Sequence, residues 1–310
     1  MSSVTFQAPE TEYTNAHQIE RRFGGLQRLW GPEVTARLAA AHVAVVGLGG
    51  VGSWTAEALA RCGVGALTLI DLDHVAPSNI NRQIHALDST LGQAKVEAMA
   101  QRVREIHPGC RVTLVDDFVE PDNVATVLSV PYSVIIDATD QVQAKVAMIL
   151  QARQRRYPLI VCGGAGGKIN PLALRVGDLS EATHDPLLAR IRGILRSRHG
   201  YPRAQARPGK PPKKAPRMNV RVLWLDEPVR QPLPTSTCEV PAGGLAPWAP
   251  DPAGMATISS GLHTRQAHAL PGPQGLSCAG YGSLVTVTAT MGMMAAHEAL
   301  GVLLQPRRHP

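Results

Sequence analysis

None of the five cysteines, at positions 62, 110, 162, 238 and 278, forms a C-x-x-C pair. That spacing excludes a structural zinc knuckle and a disulfide framework. A reducing cytoplasm is the expected compartment. The first forty residues hold no continuous apolar run, so no secretory signal is expected. Aromatic residues are sparse, at 4%. Acidic residues are missing altogether from residues 190–217, which carry ten Lys or Arg. The whole chain has a net charge of +7, so the rest of it stands at −3. The basicity belongs to one stretch. Finally, no Asp, Glu, Lys or Arg lies between Arg265 and Glu298. A hydropathy window there resembles a membrane span. The Thr, Gly, His297 and Glu298 that dilute the run favour a helix buried against the core, with no stable membrane insertion expected.

What is present is a regular alternation. "HVAVVG", "ALTLID", "RVTLVDD", "SVIIDAT" and "PLIVCGG" read as short buried strands, with helical segments between them. Alternating strands and helices imply right-handed crossovers. The expected fold is α/β: a doubly wound, Rossmann-like, mostly parallel sheet with helices on both faces. The pattern divides the 310 residues into four parts. Residues 1–15 form a disordered polar tail, and 16–176 form a nucleotide-binding domain. Residues 177–282 make a substrate-side region of basic, Pro/Gly-rich loops, and 283–305 a C-terminal helix packing back on the core.

"GLGGVGSWTAEALARCG" follows the first strand and opens a helix, the setting that raises a G-x-G-x-x-G match above chance. Gly47 suits the tight turn, Gly49 lets backbone amides approach a phosphate, and Gly52 permits close helix–strand packing. Gly50 lies inside the same loop and counts with them as a nucleotide-binding position. The helix N-terminus adds partial positive charge for an anion. Asp71, ending the second strand, can accept hydrogen bonds from ribose hydroxyls. To this point NAD and ATP are equally served. "DLDHVAPSNINRQ" then sets Asp73, Asn79 and Arg82 in the next loop, and "GQAKVEA" puts Lys95 at a helix start. A bidentate Arg and a point-charge Lys suit a triphosphate whose pyrophosphate departs. Asp140 in "DATDQ" stands on the ligand edge of such a sheet. A carboxylate there faces phosphates only if Mg²⁺ lies between them. His85 and His107 read as structural, since no His/Cys spacing suits a transition metal.

The segments "RRFGGLQRLWG", "VVGLGGVGSWTAEALAR", "LIDLDHVAPSNINRQIHAL", "GQAKVEAMAQRVREIHP", "VDDFVEPDNV" and "GGAGGKINP" together resemble the tRNA threonylcarbamoyladenosine dehydratases. These belong to the superfamily of ubiquitin-activating and molybdopterin/thiamine-biosynthesis adenylating enzymes. The likeness covers roughly residues 20–190 and returns at "SCAGYGSLVTVTATMG". Between about 195 and 275 a proline- and arginine-rich insertion departs from it. The family's short acidic Ser-Thr-Glu element is replaced near "VLWLDEP".

The resemblance implies ATP-dependent cyclisation of N6-threonylcarbamoyladenosine in tRNA through a carboxyl adenylate, with release of pyrophosphate and AMP. By family role, Asp71 holds the ribose, and Asn79, Arg82 and Lys95 hold phosphates. Asp140 holds Mg²⁺, and Arg22 reaches the ATP site of the partner subunit in a homodimer. The resemblance also allows an alkali-metal ion (K⁺ or Na⁺) and a cysteine desulfurase or sulfur acceptor as partner. Cys238 and Cys278 are expected to be an ordinary loop thiol and a packing residue, because ring closure by a neighbouring group needs no thiol. The basic stretch is expected to neutralise tRNA phosphates, giving affinity rather than base selection. Three alternatives stay open: adenylation of the C-terminal glycine of a ubiquitin-like sulfur carrier, an NAD-binding dehydrogenase, and a scaffold without catalysis.

Overall fold

The computed structural model describes residues 12–203, 215–232 and 281–305. Helices α1 (Glu12–Trp30) and α2 (Pro32–Ala39) precede the sheet. Then follow β1 (His42–Val46), α3 (Gly52–Arg61), β2 (Ala66–Ile70), α4 (Lys95–Ile106), β3 (Arg111–Val115) and α5 (Val124–Val127). The second half contains β4 (Val134–Asp137), α6 (Val142–Arg155), β5 (Leu159–Cys162), β6 (Leu174–Asp178), α7 (Pro186–Arg198), β7 (Arg221–Leu225) and α8 (Val285–Leu304). The seven strands lie in the order β3-β2-β1-β4-β5-β7-β6. All pairings are parallel except β6 with β7. This is the expected doubly wound α/β sheet.

Strand β1 lies inside the sheet between β2 and β4, and "HVAVV" can be apolar after His42 because helices cover both faces. From β1 the chain winds outward through β2 and β3, then returns to the other side of β1 as β4. That reversal opens a crevice beyond the carboxyl ends of β1 and β4. Register decides what borders it. Val46 pairs with Ile70 on one side and with Asp137 on the other. The three strands therefore end level. The loops starting at Gly47, Asp71 and Ala138 leave the sheet on one edge.

Helix α8 is long and apolar enough to cross a membrane by length and composition. In the fold it lies against α3, with Val287, Met291, Ala295 and Ala299 wholly buried. Gly292 makes the approach possible, since a Cβ there would come within 2.5 Å of the Val51 carbonyl oxygen and 2.8 Å of Trp54 Cβ. The Thr55 hydroxyl donates to the Gly292 carbonyl across the contact at 3.1 Å.

Three expected boundaries move. Helix α1 begins at Glu12, inside the segment read as a tail. The sheet does not stop at residue 176, because β7 inserts beside β5 and β6 closes the edge antiparallel to it. Helix α7 also lies in the region expected to be loops. Its signal is local: the Asp185 carboxylate caps Leu188 N at 2.9 Å, Pro186 occupies the first turn, and Leu187, Leu188, Ile191 and Leu195 fill one face. Cys238, Cys278, the loop at 241–275, residues 1–11 of the tail and residues 204–214 of the basic stretch lie outside the described residues.

Candidate nucleotide-binding active site

The glycine loop is built around contacts that a side chain would break. Gly47 has φ +85°, and a Cβ there would stand 3.0 Å from the backbone of Ala138 and Thr139. A Cβ on Gly52 would fall 1.8 Å from the Gly47 carbonyl oxygen, so the start of α3 can touch the turn only through glycine. Gly49 has nothing within 4 Å of its Cβ position, leaving backbone open to an incoming group. The hydroxyl of Ser53 closes the loop by donating to the Gly49 carbonyl at 2.7 Å.

Asp71 is buried at the end of β2 and is already oriented. Its Oδ2 accepts from Leu48 N at 2.6 Å, tying it to the glycine loop, and its Oδ1 accepts from Asp73 N at 2.9 Å. Burial pushes its carboxyl above the usual aspartate range, opposed by Lys95 and those two amides. Lys95, at the first turn of α4, is only 7% exposed along its side chain. Its Nζ lies 2.7 Å from Asp73 Oδ2 and 3.9 Å from Asp71 Oδ1. Asn79 is buried, and its Oδ1 accepts from Ala76 N at 3.1 Å. Arg82 is positioned by donation from Nη1 to the Ser78 carbonyl at 2.6 Å and to Asn81 Oδ1 at 3.0 Å.

All of these side chains, with Gly47, Gly49, Gly50 and Asp140, line one cavity of about 790 Å³. Asp140 stands just beyond β4, half-buried, and forms no hydrogen bond or ion pair with any described residue. No cluster of three or more His, Cys, Asp or Glu suited to a metal exists among the described residues. A lone carboxylate beside bound phosphates is the arrangement Mg²⁺ uses, with one or two protein ligands and substrate oxygens. Asp140 fits that requirement.

A model of the ThiF family matches residues 24–310. The chain belongs to the ThiF family. It is 42% identical over 281 residues to the tRNA threonylcarbamoyladenosine dehydratase of Escherichia coli K12, covering 90% of this chain and 92% of that one. The structure of the E. coli enzyme, TcdA, in complex with ATP superposes with a TM-score of 0.72 at 40% identity, covering 92% and 94% of the two chains. The AMP complex gives 0.72 at 38% identity, covering 96% and 98%.

Within this ThiF-family protein, the cavity holds more than the sequence singled out. Phe118, Gln141, Gln143, Asp185, Tyr281 and Thr288 also line it. So do Gly163–Gly166 and Lys168, which belong to the segment "GGAGGKINP" noted for its resemblance. Lys168 is buried, and its ammonium donates to the carbonyls of His184 at 2.8 Å, Leu225 at 3.3 Å and Glu227. Burial holds its pKa down, opposed by Asp185, Glu227 and Asp226. Beneath the cavity, Lys145 and Asp137 form a wholly buried pair at 3.0 Å, and Lys145 also donates to the Cys162 carbonyl at 2.7 Å. That pair pins the ends of β4 and β5. Lysine in "VQAKVAMIL" gives no sign of its depth, because the partner that makes it bearable is eight residues upstream.

Arg22 does not line the cavity. Its Nη1 donates to the carbonyls of Ile106 at 2.9 Å and Glu105 at 3.3 Å, in the last turn of α4 of the same chain. His85 and His107 are buried in the fold, as a structural reading requires. His107 packs edge-on against Phe23, with ring centroids 4.8 Å apart. Cys62, Cys110 and Cys162 are free. Burial raises all three thiols, Cys110 and Cys162 to about 12, so none is a ready thiolate at neutral pH.

Proposed function

We propose that this ThiF-family protein uses ATP to remove water from N6-threonylcarbamoyladenosine in tRNA, closing the threonylcarbamoyl group into a ring. One observation carries the reading. The cavity gathers an open glycine loop, two acids at the sugar end, two cations and a free carboxylate, in a chain that aligns almost end to end with a dehydratase of that name. That the relative's structures hold ATP and AMP supports a route in which the adenylyl group is transferred and then released.

The chemistry divides between substrate and protein. The substrate carboxylate attacks the α-phosphorus of ATP, pyrophosphate leaves, and a mixed anhydride with AMP remains. The ureido nitrogen beside it attacks the activated carbonyl, loses its proton, and AMP departs with the carboxylate oxygen. Because the second nucleophile is part of the same molecule, high effective molarity replaces a protein thiol. Asp71 accepts from the ribose, while amides of the glycine loop and the α3 N-terminus face the phosphates. Lys95 and Arg82 balance charge that gathers on pyrophosphate as it leaves. Asp140 would hold Mg²⁺, which when bound would supply positive charge to offset that of the phosphates. The reading includes a homodimer in the cytoplasm.

The test is mass spectrometry of nucleosides from tRNA carrying the modification, after incubation with the protein, ATP and Mg²⁺. A product lighter by one water, formed only with ATP and matched by AMP release, is expected. Unchanged nucleoside, in a preparation that instead adenylates a carrier protein, would overturn the proposal.

A further inference from the structure

A second groove, of about 550 Å³, lies at the opposite edge of the sheet from the nucleotide cavity. It sits where α6 and α7 end and where β5 and β7 begin, and Arg153, Arg156, Arg217, Tyr201 and Asn219 border it. Among the described residues no Asp or Glu lines it. Arg153, Arg156 and Arg217 are exposed, and none is paired with a carboxylate among the described residues. The Arg153 guanidinium lies over the ring of buried Tyr201, 4.8 Å from its centroid, so one cation is held rigidly at the rim.

Two residues at this rim have left-handed backbone without being glycine. Arg156 ends α6 in the left-handed region, at φ +57°, and its N–H donates to the Ala152 carbonyl. Glycine serves such a cap without strain. Asn219, across the groove, has φ +56°. An arginine kept where glycine would be the easier residue points to a use for its side chain. The sequence adds to this. Pro202 and Arg217 border the groove, and the sequence between them holds five Lys or Arg and no acid.

We infer that this groove is a second contact for the RNA substrate, neutralising backbone phosphates away from the reacting adenosine. The inference rests on the tRNA reading above and adds a site to it. Helix α6 sets the separation, since Gln141 and Gln143 at its start line the nucleotide cavity and its end forms the groove. Fourteen residues span about 21 Å at the helical rise. A folded RNA arm covers that length and a mononucleotide does not. The contact reads charge and spacing, not base identity.

The test uses the full chain with Arg156→Gly and Arg217→Gln combined, and Arg104→Gln on α4 as a control for general charge loss. Binding of tRNA is measured from 50 to 200 mM salt, with kcat and KM for tRNA-dependent AMP release and the thermal midpoint. Loss of two phosphate contacts should weaken binding about tenfold or more near 0.1 M salt and reduce the log–log slope by about 1.4 to 1.8. KM for tRNA should rise in step while kcat stays within about twofold. The midpoint should not fall, because glycine relieves the left-handed cap. Affinity and slope that change no more than in the control overturn the inference, as does a loss confined to kcat. No tRNA turnover by the unaltered chain would instead sink the proposed function. Normal turnover with an unaffected variant sinks the groove alone.

Discussion

Replacing Arg22 by alanine separates two roles that differ a thousandfold in consequence. In the structure its guanidinium meets the carbonyls of Glu105 and Ile106 at the end of α4. A cation at an exposed helix C-terminus contributes about 0.3 to 1 kcal/mol, and solvent screening keeps the hydrogen bonds modest. The expected loss is therefore about 1 kcal/mol of stability, or about 1–2 °C in thermal midpoint for a chain of 310 residues. Catalysis, assayed well below the midpoint as tRNA-dependent AMP release, should stay within a few-fold of the parent. An arginine that reaches a partner subunit's triphosphate predicts the reverse. Its loss costs a thousandfold or more in other phosphoryl-transfer enzymes, about 4 kcal/mol of barrier, with little effect on melting. A thousandfold fall in rate at an unchanged midpoint would refute the capping account. Mixed dimers would then locate the residue. Arg22→Ala and Lys95→Ala chains, exchanged freely in equal amounts, should recover about a quarter of the parent activity only if the two residues act across a two-fold interface.

Lys95→Met should cut ATP–pyrophosphate exchange about a hundredfold or more while tRNA affinity holds, because it removes a cation from the phosphates and leaves Asp71 and Asp73 facing them; loss of tRNA binding alone would remove it from the nucleotide site. Asp140→Asn should abolish most exchange at an unchanged thermal midpoint, since no described residue depends on its carboxylate, and near-normal activity with Mg²⁺ would end the metal assignment. His85 is buried without a partner on either ring nitrogen, and burial, then Lys95 and Arg102, lower its pKa to about 4. The unfolded chain takes up that proton first, so stability present above about pH 6.5 should be lost as pH falls toward 4, by up to about 3 kcal/mol. Urea midpoints of His85→Leu should show a shallower decline from pH 7 to 5, and parallel curves would rule out this histidine as the cause.

The winding of the sheet through β5 was legible because each strand is a short apolar run closed by a Gly, Asp or Pro, with an amphipathic helix after it. The nucleotide loops were legible because they leave consecutive strands at one edge. Strands β6 and β7 were not. "LRVGD" is too mixed to announce an edge strand, and "RVLWL" follows a basic stretch that hides its periodicity. Strand β7 joins the sheet by parallel pairing with β5, and the antiparallel register of Leu174 with Leu225 adds β6 at its edge. The floor of the site was equally hidden. Asp137 and Lys145 look like an ordinary strand end and a helix surface until the turn between them carries both indoors. Arg82 and Lys95 stand near the glycine motif, in a loop and at a helix start, and leave a mark in sequence, whereas Lys145 lies inside an ordinary helical run and shows its depth only beside Asp137.

The same distinction explains how the nucleotide site stands ready. Lys95 is 7% exposed and Asp73 is 56% exposed, so the ammonium is the group that burial would strand without a partner. Asp73 supplies that partner from the exposed side and can swing into water at small cost. Asp71, held by Leu48 N and Asp73 N, cannot swing aside in this way. The two acids therefore have different duties despite lying two residues apart. One is fixed to the glycine loop through Leu48 N. The other lies 2.7 Å from the lysine ammonium and fixes its direction. Arg82 is aimed without a carboxylate at all, by a carbonyl and an amide oxygen that bear no net charge. Among the described residues no carboxylate pairs with its charge.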